Sequence, residues 1–208
     1  MVQEPRPDLL EDGLHLKGNW HKEFFKNEHP IVLELGCGKG EYTVGMAEKF
    51  PKKNFVGIDI KGARMWRGAL TATSSQMPNV GFLRTQIELI DYCFTKGEVS
   101  EIWITFPDPQ IKYRRRKKRL TAPDMLDVYR KVLTDEAVLH LKTDSQFLHG
   151  YTLGILEGDS HHILETSYDI DRQKPDDELL SIRTNYEGIF RGKGVPITYL
   201  KFQLREQD

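Results

Sequence analysis

Asp108 stands between Pro107 and Pro109, directly upstream of a run in which every residue from Lys112 to Arg119 except Tyr113 is basic. A lone carboxylate followed by such a run can hold a polyanion and aim an acid at one of its bases. The residues before it, 101–105, are mostly apolar or β-branched, and the two prolines force the chain out of any sheet at a fixed angle. Asp108 is therefore expected at the C-terminal edge of a strand, where open α/β sheets keep their ligand crevice. A basic octamer by itself also reads as a solvated charge run or a targeting patch; its abutment on the Pro-Asp-Pro edge favours a phosphate-binding loop.

A second constellation lies nearer the N-terminus. Glu34 precedes Gly36, Gly38 and Gly40, in G-x-G-x-G spacing, between an apolar strand and a helix expected to begin near Glu41. Glycines there permit a sharp turn and a close approach of backbone to ligand. Dinucleotide folds set the third glycine one residue later, in G-x-G-x-x-G, to seat a pyrophosphate. A carboxylate at Glu34 is a poor neighbour for a pyrophosphate and a good one for a cation, and S-adenosylmethionine carries both a sulfonium and an ammonium. Asp59, about twenty residues further on at the end of the second strand, can accept hydrogen bonds from both ribose hydroxyls. Together these favour S-adenosylmethionine, with NAD as the minor alternative. Gln86 ends the third strand, where methyltransferases of this fold usually carry an acid for the adenine amino group. It can accept through its amide oxygen, or it is simply an exposed loop amide.

The elements that must position these residues follow from the apolar pattern. Strands are expected over 31–35, 55–58, 80–83, 102–106 and 137–141, with helix-period segments between them, which implies a parallel sheet covered on both faces. After residue 160 the pattern gives a strand over 163–168, a polar loop through Pro175, a short helix over 184–190 and a closing strand over 197–204. The expected fold class is α/β: a doubly wound, mostly parallel, seven-stranded Rossmann-like sheet with a C-terminal antiparallel edge. The helix after the basic run is expected to be capped by Thr121, with Pro123 in its first turn and Asp124 placed for a capping box. The first thirty residues read as an arm with one short helix, anchored by Trp20, Phe24 and Phe25.

Size and composition limit the function classes. The chain has 208 residues, which suits a single domain with a real core. Its net charge of −1 means that nucleic-acid affinity must come from local clustering. Cys37 and Cys93 give neither a disulfide framework nor metal-ligand spacing, so no metal is expected. The N-terminal residues lack the apolar stretch of a signal peptide, and no run approaches the roughly 20 apolar residues of a membrane span, so a cytoplasmic protein is expected.

Taken in order, Glu34 through Gly40, Phe106 through Pro109 with Lys112, Lys142 through Asp144, and Thr184 through Glu187 with the later Phe190 and Gly194 resemble the tRNA (guanine-N7)-methyltransferases of the short bacterial type. The likeness runs from about Trp20 to Leu204. It implies a methyl transfer from S-adenosyl-L-methionine to N7 of a guanine in the tRNA variable loop, and places Glu34, Gly36, Gly38, Asp59, Gln86 and Asp108 at the cofactor. It implies Asp108 as the catalytic residue, and Lys112, Asp144, Thr184, Asn185, Tyr186 and Glu187 as substrate-binding. Two departures stand out: Gln110 where the family pattern has Trp, and Arg114 and Arg115 where it has Arg-His. Monomer and homodimer both remain open.

Guanine N7 has an in-plane lone pair and no proton to lose, so methylating it needs no general base. The work left for an acid such as Asp108 is to orient the base and to stabilise the charge that develops on it. Asp144 and Glu187 read equally as helix caps or surface acids, and Tyr113 as a base-stacking or a packed ring. Two other functions fit parts of the pattern: a methyltransferase acting on another RNA, a protein or a small molecule, and a non-catalytic RNA-binding module. Glu34 and Asp59 together argue against the last.

Overall fold

β1 (Ile31–Leu35) is buried at every position, as a strand covered on both faces must be. Its residues alternate between two cores: Ile31, Leu33 and Leu35 join one apolar cluster, while Val32 joins the other. Glu34 falls on the Val32 side, at the tip of the strand. The structure, a computed structural model, describes residues 11–205, with side chains described from residue 14 and that of Asn185 excepted.

β2 (Asn54–Asp59), β3 (Val80–Arg84), β4 (Val99–Thr105) and β5 (Leu133–Thr143) extend β1 into a parallel sheet, and β7 (Thr198–Gln203) pairs antiparallel with both β5 and β6 (His162–Ser167). The order across the sheet is β3-β2-β1-β4-β5-β7-β6. The mostly parallel, seven-stranded sheet with an antiparallel C-terminal edge is thus the expected one. β1 lies between β2 and β4, so the chain reverses its winding there, and the segments leaving β1 and β4 diverge to open a crevice at their C-terminal ends.

The described residues include α1 (Glu11–Leu16), α2 (Glu41–Lys49), α3 (Gly62–Ser74), α4 (Ile90–Cys93), α5 (Pro123–Arg130), α6 (Gln146–Gly158), α7 (Ile170–Gln173) and α8 (Asn185–Arg191). Short 3₁₀ segments occupy Ile87–Leu89 and Tyr113–Lys118, and a π-helical segment Trp20–Phe25. Glycine packs α2 and α3 together: a Cβ on Gly40 would come within 2.5 Å of the Phe82 ring and 3.2 Å of the Gly68 Cα, and Gly40 has φ +73. The third glycine of the motif therefore serves helix packing rather than ligand approach.

Three expectations need correction. Residues 11–30 hold two helical segments, Glu11–Leu16 and Trp20–Phe25, where one short helix was expected, and Trp20 is the anchor it was read as: its indole stacks on Phe94 with centroids 4.9 Å apart, its Nε1–H donates to the Cys93 carbonyl at 2.9 Å, and it is buried within a main core cluster. Residues 1–10 of the expected arm lie outside the described residues. Thr121 does not cap α5; Ala122 occupies the N-cap without a side-chain bond, and Thr121 is buried, its hydroxyl bonded to that of Thr152 at 2.8 Å. Asp124 accordingly forms no capping box but pairs at the surface with Lys117. Finally, β5 begins at Leu133, four residues earlier than expected, because residues 133–136 continue the ladder beside Val99 through an irregular register.

Candidate active site

A cleft of about 730 Å³ opens at the crevice between β1 and β4, within the range of small-molecule sites. Its floor is the loop after β1. The Gly36 and Gly38 backbones lie at φ +78 and +55, and a Cβ on either would meet nothing within 4 Å, so open space faces the backbone where a ligand would approach. The loop is pinned from beside it: Gly36 and Cys37 N–H donate to the Ile58 carbonyl, and Gly38 N–H donates to Asp59 Oδ2 at 3.0 Å. Asp59 also accepts from Lys61 N–H at 2.8 Å, so it joins the tip of β2 to the start of α3. It stands next to the cleft lining through Gly38, not in it.

Glu34 is buried at the cleft's inner wall, where its two oxygens accept the hydroxyls of Thr43 and Thr105, the latter at 2.6 Å. Burial pushes its carboxyl up to about 7, the threonine hydroxyls pull it back, and nearby Asp59 adds a smaller push upward. None of its protein hydrogen-bond partners is a cation. A buried carboxylate supplied only with neutral donors, here the two hydroxyls and the Thr43 backbone N–H, is deficient in positive charge. The donor set therefore fits a cationic ligand, and the open glycine backbone beside it fits one that lies along the chain.

The opposite wall is the segment after β4. Phe106 and Gln110, either side of Pro107-Asp108-Pro109, both take left-handed backbone at φ +48 and +45, a conformation that costs non-glycine residues on the order of 1–3 kcal/mol and clusters at functional sites. The segment is held by what surrounds it. Phe106 N–H donates to the Lys142 carbonyl at 2.8 Å, and the buried Arg119 guanidinium donates to the carbonyls of Pro109 and Gln110 while lying over the rings of Phe147 and Tyr151. Asp108 is exposed on this clamped turn; its Oδ1 accepts from Gln110 N–H at 2.9 Å. Arg119 thus belongs to the scaffold, and the cations at the surface are Lys112 and those of the 3₁₀ segment Tyr113–Lys118. Tyr113 is exposed too, with Arg116 over its ring.

The roof is the start of α8. Thr184 caps the helix, its hydroxyl accepting from Glu187 N–H at 3.1 Å. The T-x-x-E spacing suggests a reciprocal capping box, but the Glu187 side chain turns inward instead. It is fully buried and pairs with Lys142 Nζ at 2.9 Å and with Arg191. Lys142 is equally buried and spends its other two donors on the carbonyls of Leu180 and Ile182. Burial pushes the Lys142 ammonium down to about 8, against the pull of Glu187, so it is charged at neutral pH; burial also pushes Glu187 up. One cation at the tip of β5 therefore ties down α8 and its approach segment, and packs against Phe106 at 5.7 Å. Tyr186, exposed into the cleft, lies 6.3 Å from the Phe106 ring.

Of the residues singled out in the sequence, the fold brings Glu34, Gly36, Gly38, Asp108, Asp144, Thr184 and Tyr186 to one cleft. Asp59 adjoins it. Gln86, beyond the tip of β3 two strands away, and Lys112, at the outer end of the Pro-Asp-Pro turn, do not line it. Glu187 lies beneath the lining as a structural anchor, and Asn185 is in the first turn of α8, its side chain outside the described residues. Sequence reasoning passed over Thr43, named Lys142 only as the start of the motif through Asp144, and counted Arg119 among the phosphate-binding cations, whereas the structure turns it inward under the Pro-Asp-Pro turn. A lysine inside the apolar alternation of β5 was the available signal for Lys142; Thr43 carried none. No group of His, Cys, Asp and Glu among the described residues has the geometry of a metal site, and no described helix is long and apolar enough to cross a membrane.

Known proteins share the sequence pattern and the fold over most of the chain. The family described as "Putative methyltransferase" matches residues 28–200. A tRNA (guanine-N(7)-)-methyltransferase of Christiangramia forsetii is 56% identical over 99% of this chain and 92% of its own length, and one of Porphyromonas gingivalis is 52% identical over 95% and 81%. Among solved structures, the 16S rRNA methyltransferase KamB superposes with a TM-score of 0.64 over 99% of this chain and 97% of its own, at 14% identity, a likeness of fold.

Proposed function

The chain belongs to the tRNA (guanine-N(7)-)-methyltransferase family, and on that premise we propose that it methylates N7 of a guanine in tRNA, in the variable loop, using S-adenosyl-L-methionine. The observation that carries this reading is the shared cleft: a buried carboxylate lacking a counter-ion on one wall, and a clamped acid leading into exposed cations on the other. Such a protein acts in the cytoplasm, where its tRNA substrate is.

S-adenosylmethionine supplies a methyl group already activated for displacement by its sulfonium. Glu34, with the open backbone of Gly36 and Gly38, would hold the positive end of that molecule, and Asp59 would accept from its ribose. The remaining demands on the protein are alignment and electrostatics, because N7 needs no deprotonation; good alignment alone is worth roughly 7–11 kcal/mol. Asp108 can accept from the ring and exocyclic N–H groups of guanine, which fixes the base and offsets the positive charge it acquires. Its turn is rigid, braced by Arg119 and Phe106, so the carboxylate is positioned before substrate arrives. Tyr186 and Phe106 offer ring faces to a base drawn from its stack. Thr184, Asp144 and Lys112 would complete the grip on the nucleoside and its phosphates.

The test is incubation of the protein with labelled cofactor and unmodified tRNA, followed by nucleoside mapping. N7-methylguanosine at one variable-loop position is the expected product. Cofactor-bound protein that forms none, or that methylates a small molecule instead, would refute the proposal.

A further inference from the structure

α3 buries Met65, Gly68 and Ala72 and is fully seated without its outer face. On that face Trp66 is 65% exposed and Leu70, one turn later, 47% exposed. The other two tryptophans, Trp20 and Trp103, are buried at 2% and 0%. The shallow groove around Trp66 has Lys39, Arg64 and Arg67 as its charged lining, and α3 carries no acidic residue. A wide aromatic face set among cations, with no acid on the helix, is the composition of a surface that stacks bases and neutralises phosphates.

Position strengthens the reading. Lys39 and Arg64 line both this groove and the cleft, so the two surfaces are continuous. β2 and β4 flank β1 on opposite sides, so α3, leaving β2, and the basic 3₁₀ segment, leaving β4, stand on opposite flanks of the cleft. A polyanion seated over the cleft thus meets cations on both sides. A second copy of the chain fits the face less well, since a two-fold interface centred here would bring Arg64 and Arg67 against their own counterparts.

Resting on the function proposed above, we infer that the outer face of α3 is a second tRNA contact, in which Trp66 stacks on an unpaired base and Lys39, Arg64 and Arg67 hold the adjoining phosphates. Trp66→Ala, Trp66→Phe and the Arg64→Ala/Arg67→Ala pair, made in the full chain, test it against tRNA affinity over a range of salt. Trp66→Ala is expected to weaken tRNA binding roughly 5- to 150-fold and Trp66→Phe to recover most of it, since any π-face stacks. The arginine pair is expected to flatten the slope of log affinity against log salt by about 1.4–1.8 for two lost phosphate contacts. S-adenosylhomocysteine affinity stays unchanged in the two Trp66 variants, because Trp66 does not line the cleft; sedimentation stays unchanged in all three, and tRNA shields the one exposed tryptophan from iodide quenching. Unaltered tRNA affinity in Trp66→Ala, or a change of oligomeric state that assigns the face to a second copy, overturns the inference. If the parent protein methylates tRNA and Trp66→Ala binds it equally well, this inference alone falls; if the parent protein neither binds nor methylates tRNA, the proposed function falls with it.

Discussion

Replacing Glu34 with Gln separates two demands made on the tip of β1. The side chain is fully buried, donated to by the Thr43 and Thr105 hydroxyls, and its carboxyl sits at about 7 against an ordinary 4.5, chiefly because burial disfavours the charge. Between those values the folded chain keeps a proton that the unfolded chain has released. Falling pH therefore favours the fold, and rising pH costs it stability until both states are ionised above the folded value. The amide does not titrate, and it can still accept from one threonine and donate to the other. The stability difference between variant and parent should thus grow in the variant's favour by about 1.4 kcal/mol per pH unit between 4.5 and 7, reach about 3 kcal/mol in total, and level off beyond.

Cofactor binding runs the other way. A cationic ligand beside Glu34 favours the carboxylate, so binding releases the proton, and the parent protein's affinity for S-adenosylmethionine should drop up to about tenfold per pH unit below 7. Glu34→Gln should bind more weakly and without that dependence. Urea denaturation at a series of pH values measures the first effect, and calorimetry in buffers of different ionisation enthalpy counts the proton in the second. A stability difference that is flat with pH, or cofactor binding near pH 6 with no proton released, would show that Glu34 is not the waiting counter-ion.

Other perturbations separate the remaining roles. Asp108→Ala should cut turnover by about 10²–10³-fold with little change in cofactor affinity, while Asp59→Ala should mainly weaken cofactor binding; equal effects of both on calorimetric affinity would contradict these assignments. Glu187→Ala leaves the buried Lys142 without its counter-ion, pushing its ammonium further down, and should cost about 3–5 kcal/mol in urea denaturation, much of it regained by the double change Lys142→Met/Glu187→Leu; a single variant as stable as the parent would mean that the pair is not closed in solution. Arg119→Lys keeps the charge but loses the fork and the stacked plane, and should cost about 1.5–3 kcal/mol while lowering turnover more than cofactor affinity. An Arg119→Lys protein with normal turnover would remove the brace from the account of Asp108.

The sheet was legible because each parallel strand carries a short apolar segment, and Gly36 after β1 and Pro107 just beyond β4 mark where the chain leaves the sheet. The cleft was legible for the same reason, since Glu34, Asp59 and Asp108 end or follow strands whose order places them near one crevice. What the sequence hid is which charged groups work outward and which work inward. Glu187 and Asp108 are both acids beside an expected cleft, yet one is sealed against Lys142 and the other is exposed, because α8 turns its first turn toward the tip of β5 while the prolines turn residue 108 away from the sheet. Arg119 likewise closes a run of cations but folds back over Phe147 and Tyr151, a choice made by α6, far away in the sequence. Local pattern reports where a charge emerges from a strand; whether it meets solvent depends on a partner supplied from elsewhere. A charge at a strand tip is therefore better judged by the buried partners within its reach than by its own neighbours, and on that criterion Glu34, buried with hydroxyls and no cation, is the one whose partner must come from outside the chain.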